Sequence, residues 1–267
     1  MLQNNQDAIL PAERRKRILE YIQENRSAKI EELALILDVS EATVRRDLAI
    51  LATEGLVDRT YGGAVLSEVS TAFELLYPEK RMLFPDEKHL IGIEAASMVA
   101  DGETLILDSG STTYEIAKNL IRHKNLTIIT YDLFIASNIS YDPSTTVIVT
   151  GGVRREGFNV VTGPIAEEFL HQVRVNKAFL GADAVDIDSG ITNATFIEVS
   201  IKRRIIESAS EVILVADHSK FGKVALAKVC ALNQIHHVIT DSAVDESIIQ
   251  ELQRSGIATR LVKPQSI

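Results

Sequence analysis

The chain has 267 residues, room for one large or two smaller domains, and 46% of them are hydrophobic, ample for packed cores. No apolar run approaches the roughly 20 residues of a membrane span, and the opening MLQNNQDAIL lacks the charged-then-apolar pattern of a secretory leader. A formal charge of −9 excludes a uniformly basic nucleic-acid coat, and the single cysteine, Cys230, excludes an intrachain disulfide and fits a reducing cytoplasm.

In chain order, Glu13 to Ile22 reads as a helix with Ile18, Leu19 and Ile22 facing inward. Ile30 to Leu51, IEELALILDVSEATVRRDLAIL, then spells two short amphipathic helices around a tight turn. Ile30, Leu33, Ala34 and Leu37 follow the i, i+3, i+4, i+7 spacing of one helical face. Asp38-Val39 breaks that pattern, and Asp tolerates a left-handed turn. Ser40 is a good N-cap, because its hydroxyl accepts from the free amides of the next turn. Val44, Leu48 and Leu51 make the buried seam of the second helix. Glu41, Ala42, Thr43, Arg45 and Arg46 stay on its solvent side near the N-terminal end, the end that a recognition helix shows to base edges. Arg bonds guanine bidentately, Thr contacts a thymine methyl, and either holds a phosphate. In GLVDRTYGGAV, Gly55 to Val65, Leu56-Val57 and Arg59-Thr60-Tyr61 read as short strands and Gly62-Gly63 as a turn. That is a wing, with Arg59 and Tyr61 placed to touch a DNA backbone or minor groove.

Met1 to Leu66 holds nine Lys/Arg against eleven Asp/Glu. DNA binding must then rest on a local basic surface. Arg14, Arg15, Lys16, Arg17, Arg45, Arg46 and Arg59 are the candidates, with an ordinary solvated helix face as the alternative for Arg14 to Arg17. The contact set expected on double-stranded operator DNA is Arg14, Ser40, Glu41, Thr43, Arg45, Arg46, Arg59 and Tyr61. Affinity resting on such a surface falls steeply with salt.

Residues 67–87 read as a linker, with Pro78, Pro85 and a short helix around Phe73 to Leu76. From Lys88 to the end at residue 267, apolar strands alternate with amphipathic helices. The strands fall at Thr104–Leu107, Leu126–Thr130, Thr146–Thr150, Lys177–Leu180, Val212–Ala216, His237–Thr240 and Thr259–Val262. The helices fall at His89–Ala100, Thr112–Ile121, Leu133–Ile139, Pro164–His171, Phe196–Ser208 and Asp245–Arg254. This alternation implies a mainly parallel, doubly wound α/β sheet. Ligands of such sheets bind beyond the carboxyl ends of the strands.

The residues at those ends suit an anion with hydroxyls. Asp108-Ser109-Gly110-Ser111-Thr112-Thr113 runs from a strand into a helix start, where free N–H groups and the helix dipole favour negative charge. A glycine turn with an ordinary N-cap is the alternative for this loop. It lacks the Lys of a Walker loop and the GxGxxG of a dinucleotide site. Thr130 and Asp132, Gly151 and Gly152 with Arg154, Asp183, and Asp217 with Lys220 follow the other strands. Hydroxyls and amides would hold phosphate, Asp183 would accept from sugar hydroxyls, and Lys220 would neutralise charge. The six histidines lack metal-ligand spacing, so neither metal nor cofactor is expected.

ERRKRILEYI, VSEATVRRDLAIL and GLVDRTYGGAV resemble the N-terminal domain of the DeoR family of bacterial transcriptional regulators. DSGSTT, GG, GAD, GIT, Glu198 with Lys202, and DHSKFG resemble its effector domain. Together these motifs run from about Glu13 to about Asp241. The resemblance implies a winged helix-turn-helix followed by a Rossmann-like α/β domain shared with ribose-5-phosphate isomerases, glucosamine-6-phosphate deaminases and CoA transferases. It also implies a phosphorylated sugar or sugar alcohol as effector, adds Thr192, Glu198 and Lys202 to the effector set, and suggests a sugar-pathway repressor. Homo-oligomers, dimers or tetramers, would let paired helices meet repeated half-sites. The chain departs from the family at Asp38, where Gly is frequent, at Tyr131, where Asn is frequent, and at Asn193, where a second Thr is common. A phosphosugar isomerase carrying a helix-turn-helix is the alternative. The isomerases have an acid where this chain has Leu180, and a lysine and glycine run where it has Gly190-Ile191-Thr192-Asn193, so the anion-binding part looks kept and the catalytic part lost. Glu198 and Lys202, at i and i+4, also fit an ordinary helix pair.

Overall fold

A computed structural model describes residues 10–25, 27–53, 56–66, 77–156 and 158–263. The chain divides into two compact units, with the division between residues 75 and 76. Gly55 of the wing motif and the short helix expected around Phe73 to Leu76 lie outside the described residues.

The first unit contains α1 (Pro11–Asn25), β1 (Ser27–Lys29), α2 (Ile30–Leu37), α3 (Glu41–Thr53), β2 (Val57–Thr60) and β3 (Gly63–Leu66). Asp38 ends α2 in the left-handed region, at φ 52°, and its N–H reaches back to the carbonyls of Ala34 and Leu35. Ser40 then opens α3, its Oγ accepting the Thr43 N–H at 3.2 Å. Ile18, Leu19, Ile22, Leu33, Val44, Leu48 and Leu51 are all buried, with α3 packed against both α1 and α2. Each such side chain contributes about 1.5–3 kcal/mol on burial.

The wing differs in detail from the sequence expectation. β2 is one continuous strand, Tyr61-Gly62 forms the turn, and Gly63 already belongs to the returning β3. The unanticipated β1 pairs with β3, giving an antiparallel order β1-β3-β2. Gly63 is required there, because a Cβ would lie 2.2 Å from the Ala28 carbonyl oxygen.

The second unit begins earlier than the charge and proline pattern suggests. α4 (Tyr77–Met82) and α5 (Pro85–Ser97) take up residues expected to be linker. Pro85 starts α5 because proline suits the first helical turn. Lys88, Ile91, Gly92, Ala95 and Ala96 form its buried face. There follow β4 (Thr104–Leu107), α6 (Ser111–Asn119), β5 (Thr127–Thr130), α7 (Leu133–Asn138) and β6 (Thr146–Val149). A hairpin of β7 (Val153–Arg154) and β8 (Val161–Thr162) leads to α8 (Pro164–His171) and β9 (Val175–Leu180). β10 (Ala184–Asp186) and β11 (Gly190–Asn193) precede α9 (Val199–Ser208) and β12 (Ala209–Val215). β13 (Ala227–Cys230), β14 (His237–Asp241), α10 (Glu246–Arg254) and β15 (Ala258–Val262) complete the unit. β10, β11 and β13 form a small antiparallel sheet.

The main sheet is parallel throughout, in the order β15-β14-β12-β9-β4-β5-β6. Strand alternation divides its side chains between two cores. Leu105, Leu107, Phe179 and Ile213 pack with residues of α5 and α6, while Ile106, Ala178, Leu180 and Leu214 pack with residues of α8, α9 and α10. From β4 the chain steps outward through β5 to β6, returns as β9 beside β4, and then steps the other way. The reversal between β4 and β9 is a topological switch point, where a crevice opens at the strand ends.

Candidate functional site

In the first unit, the N-terminal end of α3 gathers Ser40, Glu41, Thr43, Arg45 and Arg46. The Ser40 and Thr43 hydroxyls lie 2.9 Å apart and are engaged in the cap. Glu41 Oε2 accepts from Arg45 at 2.7 Å, so the carboxylate props this arginine one turn along the helix. Arg46 is exposed and forms no ion pair among the described residues. Arg59 is exposed on β2, and Tyr61, at the wing tip, is wholly exposed.

Arg14 departs from the expected contact set. Its Nε donates to Asp47 Oδ2 at 2.6 Å, and its side chain is 13% exposed. Asp47 lies on the buried seam of α3, between Val44 and Leu48, and Arg15 stands 3.8 Å from its other oxygen. A carboxylate so buried needs a cation beside it. Arg14 therefore ties α1 to α3 and does not join an outward basic surface.

In the second unit, Asp108 at the end of β4 is fully buried and clasps the switch point. Its Oδ2 accepts from Lys202 Nζ at 2.5 Å and from the Gly181 N–H beyond β9 at 2.8 Å. Its Oδ1 accepts from the Tyr131 hydroxyl at 2.6 Å. Lys202 also donates to the Gly181 carbonyl at 2.9 Å. The Tyr131 hydroxyl lies 3.0 Å from Glu198 Oε2, whose other oxygen accepts from Arg155 at 2.8 Å. Burial alone would lower the Lys202 pKa, but Asp108 and Glu198 outweigh it and raise the value. Burial, with Asp108 and Glu198 alongside, pushes the Tyr131 phenol far above its usual range, so it stays protonated. Asp108, Tyr131, Glu198, Arg155 and Lys202 thus form one internally satisfied network.

Several other expected residues position the loop. Ser109 donates to Asp132 Oδ2 at 2.8 Å, while Asp132 Oδ1 caps α7 through the Phe134 and Ile135 amides. The Thr130 hydroxyl accepts the Asp132 N–H, the Thr113 hydroxyl donates to the Gly110 carbonyl, and the Thr192 hydroxyl accepts the Ala225 N–H. Gly151 and Gly152 both have positive φ. A Cβ on Gly152 would meet the Thr162 carbonyl oxygen at 2.6 Å, so the β7–β8 hairpin needs glycine there.

One corner at the strand ends has the charge and donor pattern that favours an anion. Gly110 precedes α6 without a side-chain cap, so the first-turn amides of Ser111, Thr112 and Thr113 receive no side-chain acceptor at the positive end of the helix dipole. Asp183 accepts from Lys80 at 3.0 Å and from the Ala194 N–H at 3.0 Å. Burial would raise its pKa, but Lys80, the Ala194 amide, Lys220 and Lys202 hold it well below the usual carboxylate range. Asp217 Oδ1 accepts from Ser219, while its Oδ2 lies 3.8 Å from Lys88 Nζ with no hydrogen-bond partner. Burial pushes Lys88 down to about 8 despite Asp217. Lys220 is half-buried and close enough to Asp183 and Asp217 to lower both; its backbone N–H donates to the Asp217 carbonyl, while its ammonium forms no hydrogen bond or ion pair among the described residues.

Arg154 is not brought to this cluster; it is exposed on β7, and the next residue, Arg155, turns inward to Glu198. Lys80, Lys88, Tyr131 and Arg155 are site neighbours outside the expected set. Cys230 is buried, and burial pushes its thiol up to about 11, which leaves it unreactive. A cleft between α9 and β13, lined by Arg203, Lys228 and Cys230, lies away from the strand-end residues. Its Arg203 is held by the Val229 and Lys228 carbonyls. Among the described residues no His, Cys, Asp and Glu group is arranged to hold a metal ion, and no helix is long and apolar enough to cross a membrane.

Residues 14–69 match the DeoR-like helix-turn-helix domain and residues 84–242 the DeoR C terminal sensor domain. The Glycerol-3-phosphate regulon repressor of Haemophilus influenzae is 33% identical over 249 residues, covering 93% of this chain and 95% of that one. The HTH-type transcriptional regulator GlpR of Haloferax volcanii is 32% identical over 249 residues, covering 93% and 97%. The transcriptional repressor AccR of Agrobacterium fabrum is 33% identical over 249 residues, covering 92% and 96%. Among solved structures, ribose 5-phosphate isomerase A from Methanocaldococcus jannaschii overlaps 51% of this chain and 54% of its own, with 20% identity and a TM-score of 0.37, a likeness too partial to carry roles across. A family model matches each unit, the three regulators align with more than nine-tenths of the chain, and the chain belongs to the DeoR family of transcriptional regulators.

Proposed function

We propose that this chain represses a sugar or sugar-alcohol catabolic operon and leaves its operator when a phosphorylated sugar or sugar alcohol occupies the strand-end site. One observation carries the effector half of this reading. The uncapped first turn of α6 opens at the switch point of a parallel sheet, with Lys220 left unpaired among the described residues beside Asp183. Donor amides and a cation suit a phosphate, and a carboxylate held ionised suits the hydroxyls of the same molecule. The DNA half rests on Arg46, Arg59 and Tyr61, exposed on the recognition helix and the wing. Homologues named as repressors of a glycerol-3-phosphate regulon agree with both halves.

The same geometry disfavours turnover. Isomerisation needs a base free to take a proton from a sugar carbon. Here Asp108, Glu198 and Lys202 satisfy one another through Tyr131 and Arg155, and Leu180 is buried in the core. We read the protein as a sensor acting as a dimer or higher oligomer, where paired helices meet repeated half-sites.

A thermal-shift screen of the purified protein against phosphorylated sugars and sugar alcohols tests the reading. A specific hit, absent with the unphosphorylated parent and lost in Lys220→Ala, supports it. Conversion of any hit to product, abolished in Glu198→Ala, would replace the sensor reading with an enzyme.

A further inference from the structure

The corner between α4 and α5 is held by contacts that end on the strand-end site. Lys80 Nζ on α4 donates to Asp183 Oδ1 at 3.0 Å. Lys88 on α5 donates to the Lys80 carbonyl at 2.6 Å and to the Leu83 carbonyl, while its ammonium faces Asp217. Phe84, between the helices, takes a left-handed φ of 50°, a conformation a bulky side chain adopts only when its surroundings enforce it. Its ring packs edge-on against His218, with centroids 4.6 Å apart. The other side of α4 rests on aromatic rings. Tyr77 meets Phe134 at 5.0 Å and Tyr114 at 6.4 Å, and the Arg81 guanidinium lies 4.9 Å from the Tyr114 centroid. α4 is also the first described element of the second unit, so any signal passed along the chain toward the DNA-binding residues leaves through it.

We propose that α4 reports occupancy of the strand-end site to the chain that leads to the DNA-binding unit, and that Lys80 is the side chain that carries the report. The proposal rests on the reading of the strand ends as an anion site. A phosphate there adds negative charge beside the Lys80–Asp183 pair. Lys80 is then attracted by two anionic partners, so the ligand binds the form with α4 docked better than the form with α4 loose. By linkage, occupancy holds α4 down and docked α4 holds the ligand. The ion pair itself is one-fifth exposed, which suits an adjustable contact more than a fixed core pair.

Hydrogen exchange on the full-length protein with inorganic phosphate as probe tests this. Phosphate titrated until Ser111 to Thr113 amide protection saturates should slow exchange at residues 79–83 by about five-fold or more in the wild type. In Lys80→Met, which keeps the aliphatic length, Ser111 to Thr113 should still be protected while the α4 effect disappears. Lys80→Arg should restore it. Equal phosphate protection of α4 in wild type and Lys80→Met overturns the proposal, as does protection of Ser111 to Thr113 with α4 unchanged in the wild type. Absence of any protection at Ser111 to Thr113 removes the anion-site reading itself, and the proposal with it.

Discussion

Replacing Lys202 with Met keeps the side chain's length and removes its charge from the switch point. Lys202 is 3% exposed and Asp108 fully buried, so neither is screened by water. The change removes the 2.5 Å contact to Asp108 and the 2.9 Å contact to the Gly181 carbonyl. It leaves Asp108 facing Glu198 across the Tyr131 hydroxyl, with only Arg155 as a nearby compensating cation in that network. Removing one partner of a buried pair costs about 3–5 kcal/mol, a large share of the roughly 5–15 kcal/mol that stabilises a domain. The second change, Asp108→Asn, removes the stranded charge and keeps an oxygen for the Gly181 amide. The double variant should therefore lose clearly less than the sum of the two single variants. Urea unfolding followed by circular dichroism resolves this, with the second unit's transition fitted on its own because the chain has two units. A loss below about 1 kcal/mol for Lys202→Met, or additive losses in the cycle, would show that the charge network does not hold the switch point.

Two arginines of the first unit should separate cleanly. Arg14→Ala should destabilise that unit by about 2–3 kcal/mol in thermal melts, less than a fully buried pair would cost because Arg15 remains near Asp47. Arg46→Ala should change stability by less than about 0.5 kcal/mol, yet weaken DNA binding and, where Arg46 holds a phosphate, lower the slope of log affinity on log salt by about one. Normal DNA binding by Arg46→Ala across a salt titration would remove α3 from the interface. His218 gives a pH signature. Burial would lower its pKa, but the bond to Asp241 together with the charges of Asp241, Asp217 and Glu87 outweighs burial and raises it above 6.5. Its contribution to stability is therefore full below pH 6.5 and lost as pH rises through the higher folded value. Melting temperature should fall over that window in the wild type and stay flatter in His218→Gln; parallel curves would contradict the assignment.

The helix-turn-helix is legible because its apolar spacing, its Asp38 turn and its Ser40 cap are all local signals. Asp47 was hidden because an acid on a helix reads as solvent-facing, although its place between Val44 and Leu48 and the arginine run on α1 together hint at an inward pair. The parallel sheet is legible from alternating strands and helices, and the strand-end loops follow from it. Which loop groups are spent internally is not, because the Ser109–Asp132 and Tyr131–Asp108 bonds join residues 23 positions apart. Lys80 is concealed by Pro78 and Pro85, which read as linker, and Lys88 by its place just before the helix expected from His89. The spacing of Lys88 with Ile91, Ala95 and Ala96 is the signal that would place it on the buried face of α5. Arg154 ends the two-residue β7 and Arg155 follows directly after it, and the register of so short a hairpin, which decides which of the two turns inward, has no sequence signature.

Under the proposed function, one molecule binds DNA and lets go when a phosphosugar binds. The direct test uses a duplex selected by the full-length protein from a random pool and a titration of each phosphorylated sugar or sugar alcohol into the complex. One phosphorylated compound should weaken DNA binding by about five-fold or more, within the usual range of allosteric coupling, while its unphosphorylated parent does nothing. Selection of no duplex, or phosphosugar binding that leaves DNA affinity unchanged, would contradict it.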